Sequence, residues 1–222
     1  MQFTVLPSDA SFADPEKFGA LDEQGKLRIM PASFYRQFST EELMLFGHRN
    51  ALYNIPTQEL VDWLTACLTG QRAIEIGAGN GVLAAALQIP STDNWMQTWP
   101  DIIAHYAMIR QPVIRYGEKV ENLDAAKAIA KHKPDVVLAC WVTHRYRAEQ
   151  HELGGNMFGV DEAALCDGCQ TYIHVGNSAT HANKPILKRP HRRYQFDWLV
   201  SRAKHPELNE IRVWGAKLPN EP

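Results

Sequence analysis

The sequence predicts an α/β fold, a doubly wound and mostly parallel sheet of the seven-stranded type, with helices on both faces and an N-terminal helical extension. Three observations predict it. Short apolar runs alternate with helical segments from Arg72 onward. The run Asp135-Val-Val-Leu-Ala-Cys-Trp-Val142 is apolar too continuously for a sheet with one wet face. Finally, Arg72 to Leu87 joins a strand to an alanine-rich helix through glycines at 77, 79 and 81.

Residues Met1 to about Ser39 mix prolines, charges and scattered aromatics without sustained periodicity, and read as an extension or cap. Ser39-Thr-Glu-Glu42 has the capping-box order and opens a helix running toward Arg49. Pro56 and Thr57 open the next helix, with Leu60, Val61, Leu64 and Leu68 on one face and Gly70 as its stop. The alternation follows: strand Arg72 to Ile76, helix Gly81 to Leu87, an extended piece ending at Asp93, and a helical stretch from Ile102 to Met108. A strand near Lys119 to Leu123, helix Ala125 to His132 and the apolar strand from Asp135 come next. A helix closing at Leu165 and a strand from Thr171 to Val175 precede a final antiparallel pair, Phe196 to Ser201 with Glu210 to Trp214. Repeats and Gly/Ser linkers are absent, so residues 1–56 are expected to form the extension and 57–222 a single globular unit.

At 222 residues and 45% hydrophobic content, the chain supports one substantial core. A net charge of -2 gives no global attraction to nucleic acid or anionic membrane. No stretch is apolar enough to span a bilayer, and Met1 to Ser8 lacks the pattern of a signal peptide, so the expectation is a soluble cytoplasmic protein with no membrane partner. Four cysteines are too few for a disulfide scaffold. Cys166-Asp-Gly-Cys169 is half a zinc site without a second pair, and no metal is expected.

The three glycines let the backbone take positive φ and approach a bound molecule closely. The dinucleotide fingerprint G-x-G-x-x-G is missed, because Val82 stands where its third glycine would fall, which makes a nicotinamide oxidoreductase the weaker reading. Glu75-Ile-Gly-Ala-Gly-Asn-Gly81 resembles the first motif of the class I S-adenosylmethionine-dependent methyltransferases, an acidic residue followed by G-x-G-x-G. The resemblance covers roughly Arg72 to Val175 and implies a Rossmann-like methyltransferase domain over residues 57–222. It also implies S-adenosylmethionine (SAM) as cofactor and S-adenosylhomocysteine (SAH) as product. Glu75, Gly77, Ala78, Gly79, Asn80 and Gly81 would wrap the methionine part, Asp93 would take the ribose hydroxyls, and Asp124 with Ala125 would read the adenine edge. Trp141, at the end of the fourth strand, also falls to the cofactor. Asp93 comes sooner after the turn than is usual, and Asp124 equally suits a helix N-cap.

Methyl transfer needs chiefly in-line placement of a nucleophile, so a loud catalytic triad is not required. His144 has the titration range of a general base and follows an apolar strand, where ligands sit in open α/β sheets. Asn177 and His181 follow the fifth strand; Asn177 is the second catalytic candidate, while His181 and Tyr53 are assigned to substrate. Cys140 follows Ala139 and points by alternation into the sheet, which argues against a nucleophile. The irregular stretch from Thr143 to Val160 is where a lid is expected. From Lys184 to His205, seven Lys or Arg residues interleave with Tyr194, Phe196 and Trp198, the one patch suited to nucleic acid. The acceptor, whether small molecule, nucleic acid or protein, stays open. The rival reading is a non-catalytic adenosyl-ligand binder with a regulatory or interaction role.

Overall fold

The computed structural model describes residues 12–222; the start of the extension, including Met1 to Ser8, lies outside the described residues. Helices α1 (Ala32–Tyr35), α2 (Thr40–Arg49) and α3 (Gln58–Leu68), with the short strand β1 (Asn54–Ile55), precede the sheet. The alternating part runs β2 (Ala73–Ile76), α4 (Val82–Leu87), β3 (Ser91–Asp93), α5 (Pro100–Met108), β4 (Val120–Asn122), α6 (Ala125–His132), β5 (Val136–Cys140), α7 (Glu162–Asp167) and β6 (Thr171–Asn177). Three more strands close the chain: β7 (Arg192–Tyr194), β8 (Val200–Ser201) and β9 (Asn209–Gly215).

Local chemistry sets the helix starts. Ser39 Oγ accepts from Glu42 N at 3.2 Å while Glu42 Oε2 accepts from Ser39 N at 2.8 Å, completing the capping box. Thr57 caps α3 through Leu60 N, and Asp124 caps α6 through Lys127 N. At about 1 kcal/mol per cap, these choices fix boundaries more than they stabilise the domain.

Seven strands form one sheet in the order β4-β3-β2-β5-β6-β9-β7. Neighbours from β4 to β6 pair in parallel, and β9 is antiparallel to both β6 and β7. From β2 the chain steps outward through β3 to β4, then returns to β5 on the other side of β2, so the doubly wound order reverses between β2 and β5. The expected last pair is corrected here. The partners of β9 are β6 and the segment Arg192–Tyr194, whereas of Phe196 to Ser201 only Val200–Ser201 is strand and pairs with β1 in a separate two-stranded sheet. The short edge strand β7 carries Arg-Arg-Tyr rather than an apolar run; it holds β9 by backbone bonds, by the ion pair of Arg193 with Glu210 and by Arg192 donating to Gly215 O, while Arg192 also pairs with Glu221 near the chain end.

Each sheet face is covered. Leu60, Leu64 and Leu68 of α3 and Leu83 of α4 pack on Val136, Leu138, Ile173 and Val213. Ala128 of α6 and Leu165 of α7 pack on Ile74, Ile76, Val137 and Tyr172 on the opposite face. Alternate residues of β2, β5 and β6 therefore serve different cores, as the two-residue period of a strand requires. A third cluster joins the extension to the domain: Tyr35, Phe46, Leu52 and Ile55 meet Val82 at the start of α4. Helix α5 buries none of its residues. Among the described residues, no helix is long and apolar enough to cross a membrane.

Candidate functional site

A cleft of about 710 Å³ opens at the carboxyl ends of β2 to β5, on both sides of the reversal in strand order. That is the size of a small-molecule cleft and the place where open α/β sheets bind ligands. Its wall takes Gly77 after β2, Asp93 and Asn94 after β3, Asn122 to Lys127 at the end of β4 and start of α6, and Trp141 to Thr143 after β5. Of the residues expected at a cofactor, it brings together Gly77, Asp93, Asp124, Ala125 and Trp141, with Tyr53 from the extension.

The glycine turn has the backbone its sequence requires: φ is +59° at Gly77, +55° at Gly79 and +70° at Gly81. A Cβ on Gly77 would lie 2.6 Å from Val142 Cγ1, and one on Gly81 2.6 Å from Val120 Cγ2. Gly77 is the turn residue that faces the cleft; Ala78, Gly79, Asn80 and Gly81 do not line it. Ile114 Cδ1 covers Gly79, 3.4 Å from where a Cβ would sit, and the Gly117 backbone presses on the Asn80 carbonyl so closely that a Cβ there would come within 2.3 Å of it. The segment between α5 and β4 thus lies over the outer half of the turn.

Glu75 is also behind the cleft wall. Its Oε2 accepts from Ala84 N at 2.9 Å, satisfying one of the free N–H groups that begin α4. Burial pushes its carboxyl up to about 8, against an N–H bond that lowers it and with nearby Asp93 adding to the rise. Unfolded, the group ionises near 4.5. Between these values the folded state holds more protons, so stability falls as pH rises through that window, at up to about 1.4 kcal/mol per pH unit. Glu75→Gln keeps the acceptor and removes the titration. Its melting temperature is expected to drop less than the parent's between pH 5 and pH 7.5, and equal drops would show that the carboxyl is not held protonated.

Asp93 binds the turn directly, Oδ2 accepting from Gly79 N at 3.0 Å and Oδ1 from Trp95 N at 3.1 Å. Burial raises its pKa, and the bonds from Gly79 and Trp95 oppose the rise. Tyr116 stacks on Trp95, centroids 5.3 Å apart, and with Gln97 builds the wall below Asp93. For Asp124 burial acts upward, but hydrogen bonds and the charge of Lys127 outweigh it, and the carboxyl ends below its ordinary value. Trp141 takes φ +57°, a conformation uncommon outside glycine, with its N–H donated to Val175 O at 2.9 Å. The Arg202 guanidinium lies 3.8 Å over the Tyr53 ring.

His144, Asn177 and His181 do not line the cleft. The His144 ring packs under Gly155, and burial first, then the charge of Lys184, lowers its pKa. Asn177 is 1% exposed and fully engaged: it donates to His205 O and Asn209 Oδ1 and accepts from Ala179 N and Thr180 N. His181 Nδ1 accepts from Asn177 N at 3.0 Å, and burial pushes its pKa down to about 3. Burial likewise pushes the Cys140 thiol well above its ordinary value. Cys169 Sγ donates to Leu165 O, and Cys166 is pushed up to about 12.

Most cations of the Lys184 to His205 stretch are internally paired. Lys184 bonds Glu162, Arg189 bonds Asp167 at 2.7 Å, Arg192 bonds Glu221 and Arg193 bonds Glu210. Its aromatics stack on one another and on the core, with Phe196 and Trp198 centroids 4.3 Å apart. The patch therefore offers phosphate binding far fewer groups than its sequence suggests.

Sequence reasoning passed over Asn94, Trp99, Tyr106, Tyr116, Arg145, Asn156 and Phe158, all on the cleft wall. The available signal was aromatic and amide residues in the irregular stretches after β3 and β5. Residues 143–160 fold back on themselves through bridges of His144 to Val160 and Arg145 to Asn156. Asn94 Nδ2 then donates to Phe158 O at 3.2 Å, and Trp99 meets Phe158 edge-on at 5.0 Å, which ties this stretch to the far side of the cleft.

No protein-family model and no curated protein matches the chain. Among solved structures, a candidate methyltransferase in complex with SAH is similar over 70% of this chain and 47% of its own, at 12% identity and TM-score 0.36. A candidate SAM-dependent methyltransferase from Streptococcus mutans gives 12% identity and 0.35 over 70% of this chain and 46% of its own. A Thermoplasma acidophilum protein gives 14% and 0.38, over 82% and 98% respectively. The chain thus spans about half the length of the first two. Every TM-score here is below 0.5.

Proposed function

We propose that this protein is a class I SAM-dependent methyltransferase, which binds the cofactor in the cleft between the ends of β2 to β5. The observation that carries the reading is the convergence of Gly77, Asp93 and Asp124 with Ala125 on one wall at the strand-order reversal, three separate chain segments in the order the motif implies. The donor set suits a nucleoside: a carboxylate beside the turn for ribose hydroxyls, and Asp124 with the N–H groups at the start of α6 for a base edge. When bound, SAM supplies a sulfonium-activated methyl group. Gly77 keeps the wall free of a side chain, Trp141 and Tyr53 supply aromatic surface to it, and the 143–160 stretch lines it from across the cleft. Burial pushes the Tyr106 and Tyr116 hydroxyls on the wall above the ordinary phenol range.

The placement of His144 and Asn177 outside the cleft is what favours the rival, an adenosyl-ligand binder without catalysis. Calorimetry with SAM, SAH and NAD tests the shared premise: saturable heat is expected with the first two, and silence from both would end either reading. Tritiated-methyl SAM incubated with fractionated extract separates them, because a binder transfers no label. Asp93→Ala is expected to weaken SAH binding about ten- to a hundredfold through loss of charge-assisted hydrogen bonds. An unchanged Kd would remove Asp93 from the site.

A further inference from the structure

We infer that the part of the cleft lined by Trp99, Arg145 and Phe158 takes a small amphiphilic anion, a molecule with an apolar body and one anionic group. The inference rests on the methyltransferase reading in casting that molecule as acceptor. Among the described residues six large hydrophobic side chains are exposed, and two of them, Trp99 and Met157, line this part of the cleft. The partly buried rings of Tyr106 and Phe158 line it with them. An exposed apolar concentration that coincides with a cleft marks a binding surface rather than ordinary scatter.

Charge selects the occupant. The acidic and basic residues on the wall are Asp93, Asp124, Asp161, Lys127 and Arg145. Lys127 pairs with Asp124 at 3.1 Å, and Asp161 accepts from Arg147 at 3.0 Å. Arg145 forms no ion pair among the described residues, so its forked donors remain for a ligand carboxylate or phosphate. Its backbone is fixed, with the N–H donated to Val160 O at 2.8 Å and a bridge to Asn156, so the guanidinium is carried on a braced segment. The Trp99 and Phe158 rings, edge-on to each other, line the same cleft and supply apolar surface.

Calorimetric titration of 2-naphthoate and of its neutral amide, 2-naphthamide, into SAH-saturated protein tests the assignment. Naphthoate is expected to bind about tenfold more tightly than the amide, the scale of one charge-assisted pair. Arg145→Met is expected to bring naphthoate down to the amide's affinity while leaving the amide unchanged, and Trp99→Ala to weaken both. Equal affinities, a preference that survives Arg145→Met, or no heat with naphthoate in a protein that binds SAH would each overturn the inference. If SAH itself gives no heat, the cofactor reading falls alone, and the same titrations on the unliganded protein decide the subsite.

Discussion

Replacing Lys184 by Met is expected to destabilise the protein by about 3–5 kcal/mol. Lys184 is 3% exposed; its Nζ donates to Glu162 Oε2 at 2.7 Å and to Val142 O at 2.8 Å. The other oxygen of Glu162 accepts from Tyr172 O–H at 2.9 Å. Removing the ammonium leaves a carboxylate buried in apolar surroundings with one neutral donor, and leaves the Val142 carbonyl without its partner. Burial already holds the Lys184 pKa below its ordinary value despite the pull of Glu162, which shows how strongly the site opposes unpaired charge. For a chain of this length the loss corresponds to a melting temperature lower by roughly 6–20 °C. The double change Lys184→Met with Glu162→Gln is expected to recover part of it, because no buried charge is then left over. A single variant melting within a degree of the parent would show that the pair is not buried as described.

The second large effect falls on ligand binding. Gly77→Val is expected to abolish SAH binding and also to lower stability by about 2–6 kcal/mol, the sum of a left-handed backbone cost and an overpacking cost. The residue sits at φ +59°, where a β-branched side chain is strongly disfavoured, and its Cβ would lie 2.6 Å from Val142 Cγ1. The same side chain would project at the cleft wall between the ends of β2 and β5. Gly77→Ala combined with Val142→Ala separates the contributions: it relieves the contact and retains the backbone strain, so stability should return in part. Melting curves and SAH calorimetry on both variants read the two effects. A Gly77→Val protein that binds SAH as the parent does would mean that the cleft, as lined here, is not the cofactor site.

These two residues also show what is legible in a chain of this kind. Gly77 announced itself, because three glycines in five residues after a short apolar strand have few uses other than positive φ. Ser39, Thr57 and Asp124 announced helix starts for the same local reason, a side-chain oxygen within reach of an N–H two or three residues on. Lys184 looked like one member of a basic patch. That it is buried against Glu162, with Arg189, Arg192 and Arg193 similarly engaged, follows from contacts 17–29 residues apart in the chain. His144 follows a strand as expected yet turns into protein, since a position after a strand does not fix the direction of a side chain in an irregular loop, whereas Asn177 lies within β6 itself, paired with Asn209 of β9.

The sequence by itself determined the class of fold, the order of strand and helix, the helix caps and the left-handed turn after β2. Each depends on conformational preferences and hydrogen bonds that act over one to four residues, or on periodicities within one element. Tertiary structure decided which strand closes the sheet beside β9, that Ile114 and Gly117 cover the outer half of the glycine turn, and that Arg145, Trp99 and Phe158 share a cleft with Asp93. Those outcomes depend on sheet register and on loops that cross it, and a close approach between distant segments leaves no pattern in either segment alone.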